Sequence, residues 1–225
     1  MGAAIMDNSN KLVTAAGWLG LLAATMVGIG ESLMQFTLSG GIEDIHNYLY
    51  FNDISSTRLS RGHFMSVLFA PFYIAGYWFL SQKLKPAGPR QSRVFFWIGA
   101  YAFAVGTAWI GQRIFLAGTV HEIANGQNLQ NLLAEFSAYN EPFVNVLRVA
   151  MLVVSVFWVK LILTGKTAFP KWMAIFNPIT LLALIAASYF LGTKLGLYLF
   201  PAAMNVSHFI IFALALAFGR GKTRA

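Results

Sequence analysis

The stretch PAAMNVSHFIIFALALAFGRGKTRA (201–225) decides how this chain is read. It is an apolar run closed by Arg220, Lys222 and Arg224, the pattern of a membrane helix that ends on a basic flank. Yet Asn205 and His208 lie inside it, three residues apart and therefore on one helical face. An amide and an imidazole in hydrocarbon would have no partners. The stretch therefore predicts a helix whose polar face borders a pocket inside a bundle, with Phe209, Ile210 and Ile211 turned to lipid or to neighbouring helices.

The rest of the chain fits that reading. Of 225 residues, 57% are hydrophobic and 11% charged, and the mean hydropathy is +0.62. Soluble domains carry about a quarter charged residues, so the composition is that of an integral membrane protein. There is no cysteine, which excludes a disulfide framework and thiolate metal sites. The net charge of +8 does not point to nucleic acid, because the basic residues sit in short loops beside apolar runs.

A span needs about 20 mostly apolar residues. Six runs qualify, at roughly 12–37, 63–82, 93–118, 142–164, 171–194 and 199–219. The sequence thus predicts an all-α bundle of about six transmembrane helices forming a single domain over 1–225. The first run is too long for a signal peptide, so an uncleaved anchor is expected. The connections 38–62 and 119–141 are long and polar, and the second reads as an amphipathic interfacial helix.

Placing the N-terminus in the cytoplasm puts Lys11, Lys83, Lys85, Arg90, Arg93, Lys160, Lys166, Lys171, Arg220, Lys222 and Arg224 inside, eleven of the sixteen Lys and Arg residues. The two long connections, with Arg58 and Arg61 against acids such as Glu43, Asp44 and Glu141, then lie outside. The positive-inside bias favours this orientation, with both termini cytoplasmic.

Polar residues cluster at one depth. Glu31 lies in the outer third of the first span, and His63 opens the second. Gln112 and Arg113 come late in the third, Asn145 and Arg148 early in the fourth, and Asn205 and His208 in the outer half of the sixth. An ionised side chain at the bilayer centre costs about 2.5–3.5 kcal/mol on insertion scales, so such residues persist where they pair, line water or carry function. The sorting predicts an outward-opening polar cavity above a dry inner half. Glu31 and His208 are the candidate acid–base groups. Arg113 and Arg148 are candidate clamps for an anionic group, and His63, Gln112, Asn145 and Asn205 complete the expected binding set. The bland alternative is a structural ion pair of Glu31 with Arg113 or Arg148, and of Glu141 with Arg148. HEIANG (121–126) lacks the second histidine of a HExxH helix, since position 125 is Asn125, so no metal is expected. No cofactor is indicated, and the pattern carries no signal of oligomeric state.

ISSTRLSRGHFMSVLFAPFYIAGYW (54–78), GKTAFPKWMAIFNP (165–178) and FPAAMNVSHFIIFALA (200–215) resemble a family of uncharacterised bacterial inner-membrane proteins of similar length. The resemblance covers most of the chain and implies a multi-pass inner-membrane protein, with no activity attached. The arrangement of Glu31, His63, Asn205 and His208 is also loosely similar to the sterol-isomerase (emopamil-binding) fold, where acid and histidine side chains move a proton on a lipid. That likeness is analogy only. The expected function is binding of membrane lipid or an amphiphilic small molecule, with acid–base chemistry if the protein is an enzyme. A proton-coupled carrier and a non-catalytic membrane subunit are the alternatives.

Overall fold

The computed structural model describes residues 2–37 and 48–219, with side chains from Asn10 onward. Glu43, Asp44, Arg220, Lys222 and Arg224 lie outside the described residues. The described chain is all-helical: α1 (Gly2–Gln35), α2 (Ser56–Phe69), α3 (Phe72–Leu84), α4 (Pro89–Ala124), α5 (Gln130–Leu163), α6 (Pro178–Phe190), α7 (Lys194–Leu199) and α8 (Ala203–Phe218), with short 3-10 turns between some of them. Asn10–Gln35, Pro89–Ala124, Gln130–Leu163 and Lys194–Phe218 are long and apolar enough to cross a membrane, and the bent α2–α3 pair makes a fifth candidate.

Local chemistry explains where the helices depart from the predicted runs. The second run is broken, and α2 and α3 meet at about 40°. Pro71 sits at the break, where it offers no N–H and its ring clashes with the carbonyl four residues back. α2 also starts earlier than expected, because Ser55 caps it by accepting from the Arg58 N–H at 3.4 Å. The region 119–141 is not a long loop. α4 continues to Ala124 and α5 begins at Gln130, so the amphipathic segment forms the first turns of α5, which carries Pro142 internally. The fifth run yields a 3-10 turn at Lys171–Ile175 and a 13-residue α6. Asn177 caps that helix from outside and Pro178 occupies its first turn, which sets the late start. Pro201 lies in a 3-10 turn at Phe200–Ala202 between α7 and α8.

α1 packs against α2, α3 and α8, while α4 packs against α5, α3 and α2. Two glycine contacts hold α1 close to the bent pair. A Cβ on Gly20 would fall 2.6 Å from the Gly76 Cα, and one on Gly62 would fall 2.5 Å from the Gly30 carbonyl oxygen. Small residues at such crossings let backbones approach closely. The main core gathers Tyr73, Tyr77, Phe95, Phe103, Trp158 and Phe212. A second cluster packs Tyr48, Tyr50, Phe51 and Ile54 against Met34, Ile110 and Leu116. The segment after position 47 therefore folds back onto the helices rather than standing off as a loop. His121 helps to hold it, with Nε2 donating to the Phe51 carbonyl at 2.8 Å. Val149, Leu152, Val156 and Leu163 of α5 are all more than half exposed. That outward apolar stripe would be a liability in water and is ordinary against lipid.

Candidate functional site: a polar cavity among α1, α4, α5 and α8

A cavity of about 480 Å³ opens among α1, α4, α5 and the α6–α8 region. Its polar lining includes Glu31, Gln35, Tyr48, Arg113, Arg148 and Asn205. Apolar wall comes from residues such as Val27, Phe103, Leu147, Leu182 and Met204.

α1 supplies Glu31 and Gln35, one helical turn apart. Asn205 of α8 donates from Nδ2 to Glu31 Oε2 at 2.6 Å and accepts at Oδ1 from the Tyr73 hydroxyl at 2.6 Å. Glu31 Oε1 has no hydrogen-bond partner among the described residues. Gly28 makes this pairing possible, because a Cβ there would already lie 3.2 Å from the Asn205 Cβ.

Arg113 of α4 is buried at 6% exposure. Its guanidinium donates to the Tyr50 hydroxyl and, at 3.4 Å, to Gln35 Oε1. The rings of Trp109, Phe51 and Tyr48 lie 4.8, 5.5 and 5.9 Å from its Cζ, within cation–π range. Arg113 Nε is buried with no hydrogen-bond partner. No ion pair joins Glu31 to Arg113 or Arg148 among the described residues; the carboxylate and the arginines share the cavity through separate partners.

Glu141 and Arg148 of α5 are exposed and stand at the mouth. The expected pair between them does not form. Glu141 accepts from the Tyr48 hydroxyl, and Arg148 donates to Asn145 Oδ1 at 3.1 Å. Burial, then the bond to Glu141, pushes the Tyr48 hydroxyl up to about 12, so Tyr48 stays a donor at neutral pH. Burial likewise raises Tyr50, against the pull of Arg113. Tyr48 is the one non-glycine residue with positive φ among the described residues, at 57°. Such a conformation costs about 1–3 kcal/mol and persists only where the surroundings hold it, as the Glu141 bond and the Arg113 guanidinium do here.

Of the eight residues expected to form the site, Glu31, Arg113, Arg148 and Asn205 line this cavity. His208, Gln112, His63 and Asn145 do not. His208 is fully buried among Tyr73, Tyr77, Phe103 and Phe212. Its Nδ1–H donates to the Met204 carbonyl at 2.7 Å, which leaves Nε2 to accept from the Tyr77 hydroxyl at 2.8 Å. Gln112 accepts from Asn140 of α5 at 3.2 Å, a clamp between the two long helices. His63 packs edge-on against Phe64, and its Nδ1 is buried without a partner. Asn145 is exposed beside Arg148. The described residues contain no cluster of metal-ligating side chains.

Residues 6–219 match the model of a family described as a family of unknown function (DUF6796). The chain belongs to this family. No curated protein and no solved structure matches. In this DUF6796 member the match runs from α1 through α8, so the cavity lies wholly within the family's own unit.

Tyr48 and Tyr50 are among the lining residues that sequence reading left out. Their signal was the aromatic density of NYLYF (47–51) in a segment otherwise too polar to span. Gln35 and Trp109 stand one turn from Glu31 and Arg113 on the same helices, and both line the cavity with Glu141.

Proposed function

We propose that this protein is a multi-pass membrane protein that binds one amphiphilic small molecule in the cavity, with the ligand's anionic group at Arg113 and its apolar part against Leu147, Leu182 and Met204. The observation that carries this reading is the meeting of Glu31, Arg113, Arg148 and Asn205 around one cavity whose remaining wall is apolar. A volume of about 480 Å³ is within the range of small-molecule sites. The unpartnered Arg113 Nε is a buried donor that a carboxylate or phosphate would satisfy. If the ligand is turned over, Glu31 is the group placed to move its proton.

The topology that goes with this reading has six crossing segments: α1, the α2–α3 pair, α4, α5, α6 and α7–α8. Both termini are then cytoplasmic, and the membrane is the bacterial inner membrane. α6 is the short member, at about 20 Å for 13 residues against a hydrocarbon core of about 30 Å.

A carrier would need the polar path to continue inward. Tyr73, Tyr77, Phe103, His208 and Phe212 instead pack ring against ring behind the cavity, with Tyr73 and Phe103 stacked at 3.7 Å. That packing favours a binding site over a conduit.

The test is mass spectrometry of small molecules retained by protein purified in mild detergent. Wild type is expected to retain an amphiphile that Arg113→Gln and Ala186→Trp, which sets an indole on the cavity lining, both lose. Equal retention in wild type and Ala186→Trp would overturn the reading.

A further inference from the structure

A second opening of about 580 Å³ lies on the other side of Asn205. It is a groove between α1 and α7–α8, lined by residues such as Thr25, Ile29, Leu33, Phe36, Tyr198 and Phe209. Among the described residues, Arg58 of α2 is the one charged side chain that lines it. Phe36 and Tyr198 stack across it with centroids 5.4 Å apart, and Ile29 and Phe209 are 46% and 43% exposed along its length.

The groove has the length of one leaflet. From Thr25 to Phe36, the residue just past the end of α1, it follows about 16 Å of chain at helical rise, and half of a hydrocarbon core is about 15 Å. Its cation is at one end. Arg58 lies beside the C-terminus of α1 and donates to the Phe36 carbonyl at 2.9 Å and the Ser32 carbonyl at 3.5 Å. Both bonds use one terminal nitrogen, so the other carries no hydrogen bond among the described residues. An apolar trough one leaflet long, with a guanidinium at its headgroup end, matches a chain with an anionic head.

We infer that this groove is a binding site for an anionic phospholipid, one acyl chain lying along Ile29, Leu33 and Phe209 and the phosphate on Arg58. The site needs α1 and α8 to face lipid and needs nothing of the ligand in the cavity; Asn205 is the wall between the two. The terminal nitrogen of Arg58 that makes neither bond keeps its two N–H donors for phosphate oxygens. A single cation beside an anionic lipid headgroup is worth about a fivefold preference over a zwitterionic one.

Native mass spectrometry of the full chain, loaded from micelles containing equal phosphatidylglycerol and phosphatidylcholine, tests this. Wild type is expected to retain one phospholipid with about a fivefold preference for phosphatidylglycerol. Arg58→Gln keeps a donor for the Phe36 carbonyl but no charge, and is expected to lose the preference while still retaining lipid. Ile29→Trp fills the trough from an exposed position and is expected to retain neither lipid. Ala186→Trp, which fills the cavity alone, is expected to behave as wild type. Unchanged preference in Arg58→Gln, or unchanged retention in Ile29→Trp, would overturn the inference. Loss of phosphatidylglycerol in Ala186→Trp would place the lipid in the cavity and overturn it too.

Discussion

Asn205→Leu is the most direct test of how the polar cluster is built. The side chain is 2% exposed and makes two hydrogen bonds of 2.6 Å, one to Glu31 and one from Tyr73. Leucine keeps the volume and removes both. In a soluble core each stranded partner would cost about 1–3 kcal/mol. Interhelical hydrogen bonds in membranes average about 0.6 kcal/mol and reach about 1.7, because the unfolded helices also find partners in lipid. The lower scale applies here, since Glu31 also faces the cavity and can take water. Two bonds then give about 1–3 kcal/mol for Asn205→Leu. Tyr73→Phe removes one bond, so about 0.6–1.7 kcal/mol is expected. Glu31→Gln can still accept from Asn205 Nδ2 and is expected to cost least. The assay is reversible unfolding in mixed micelles with increasing SDS, followed by circular dichroism, with the double variant closing a thermodynamic cycle. A coupling near zero between Asn205 and Tyr73, or an Asn205→Leu cost no greater than that of Tyr73→Phe, would refute the reasoning.

Gly76→Ala is expected to destabilise by about 1–3 kcal/mol in the same assay, because its Cβ would lie 2.7 Å from the Gly20 Cα and 2.6 Å from the Phe212 ring. Gly118→Ala, where a Cβ meets nothing within 4 Å, is the neutral or stabilising control. His208→Phe is expected to cost up to about 0.6–1.7 kcal/mol by leaving the Tyr77 hydroxyl only Met151 Sδ, at 3.7 Å, as acceptor, yet to leave the retained small-molecule profile unchanged; a changed profile would return His208 to the site. The chain has no native cysteine, so Asn128→Cys, between α4 and α5, is expected to label from outside intact cells and Gln91→Cys, early in α4, only after permeabilisation. The reverse pattern would invert the topology.

Long apolar runs made α1, α4, α5 and the last segment legible from the sequence, because a helix that crosses hydrocarbon must satisfy its backbone within itself and so declares its length in its own residues. Gln35 lies four residues from Glu31 and Trp109 four from Arg113, so helical periodicity alone sets each pair on one face. Which neighbour a face meets is not written in one helix. Asn205 and His208 are three apart, an angular offset of about 60° on the helix, and that offset sends Asn205 to Glu31 and His208 to Tyr77. The same limit hid Tyr48 and Tyr50, whose partners Glu141 and Arg113 lie 93 and 63 residues away. The cavity itself belongs to this second class, because it exists only where α1, α4, α5 and α8 leave space among them. Composition and periodicity settle what each helix is, and only the packing of one helix on another decides which polar groups meet.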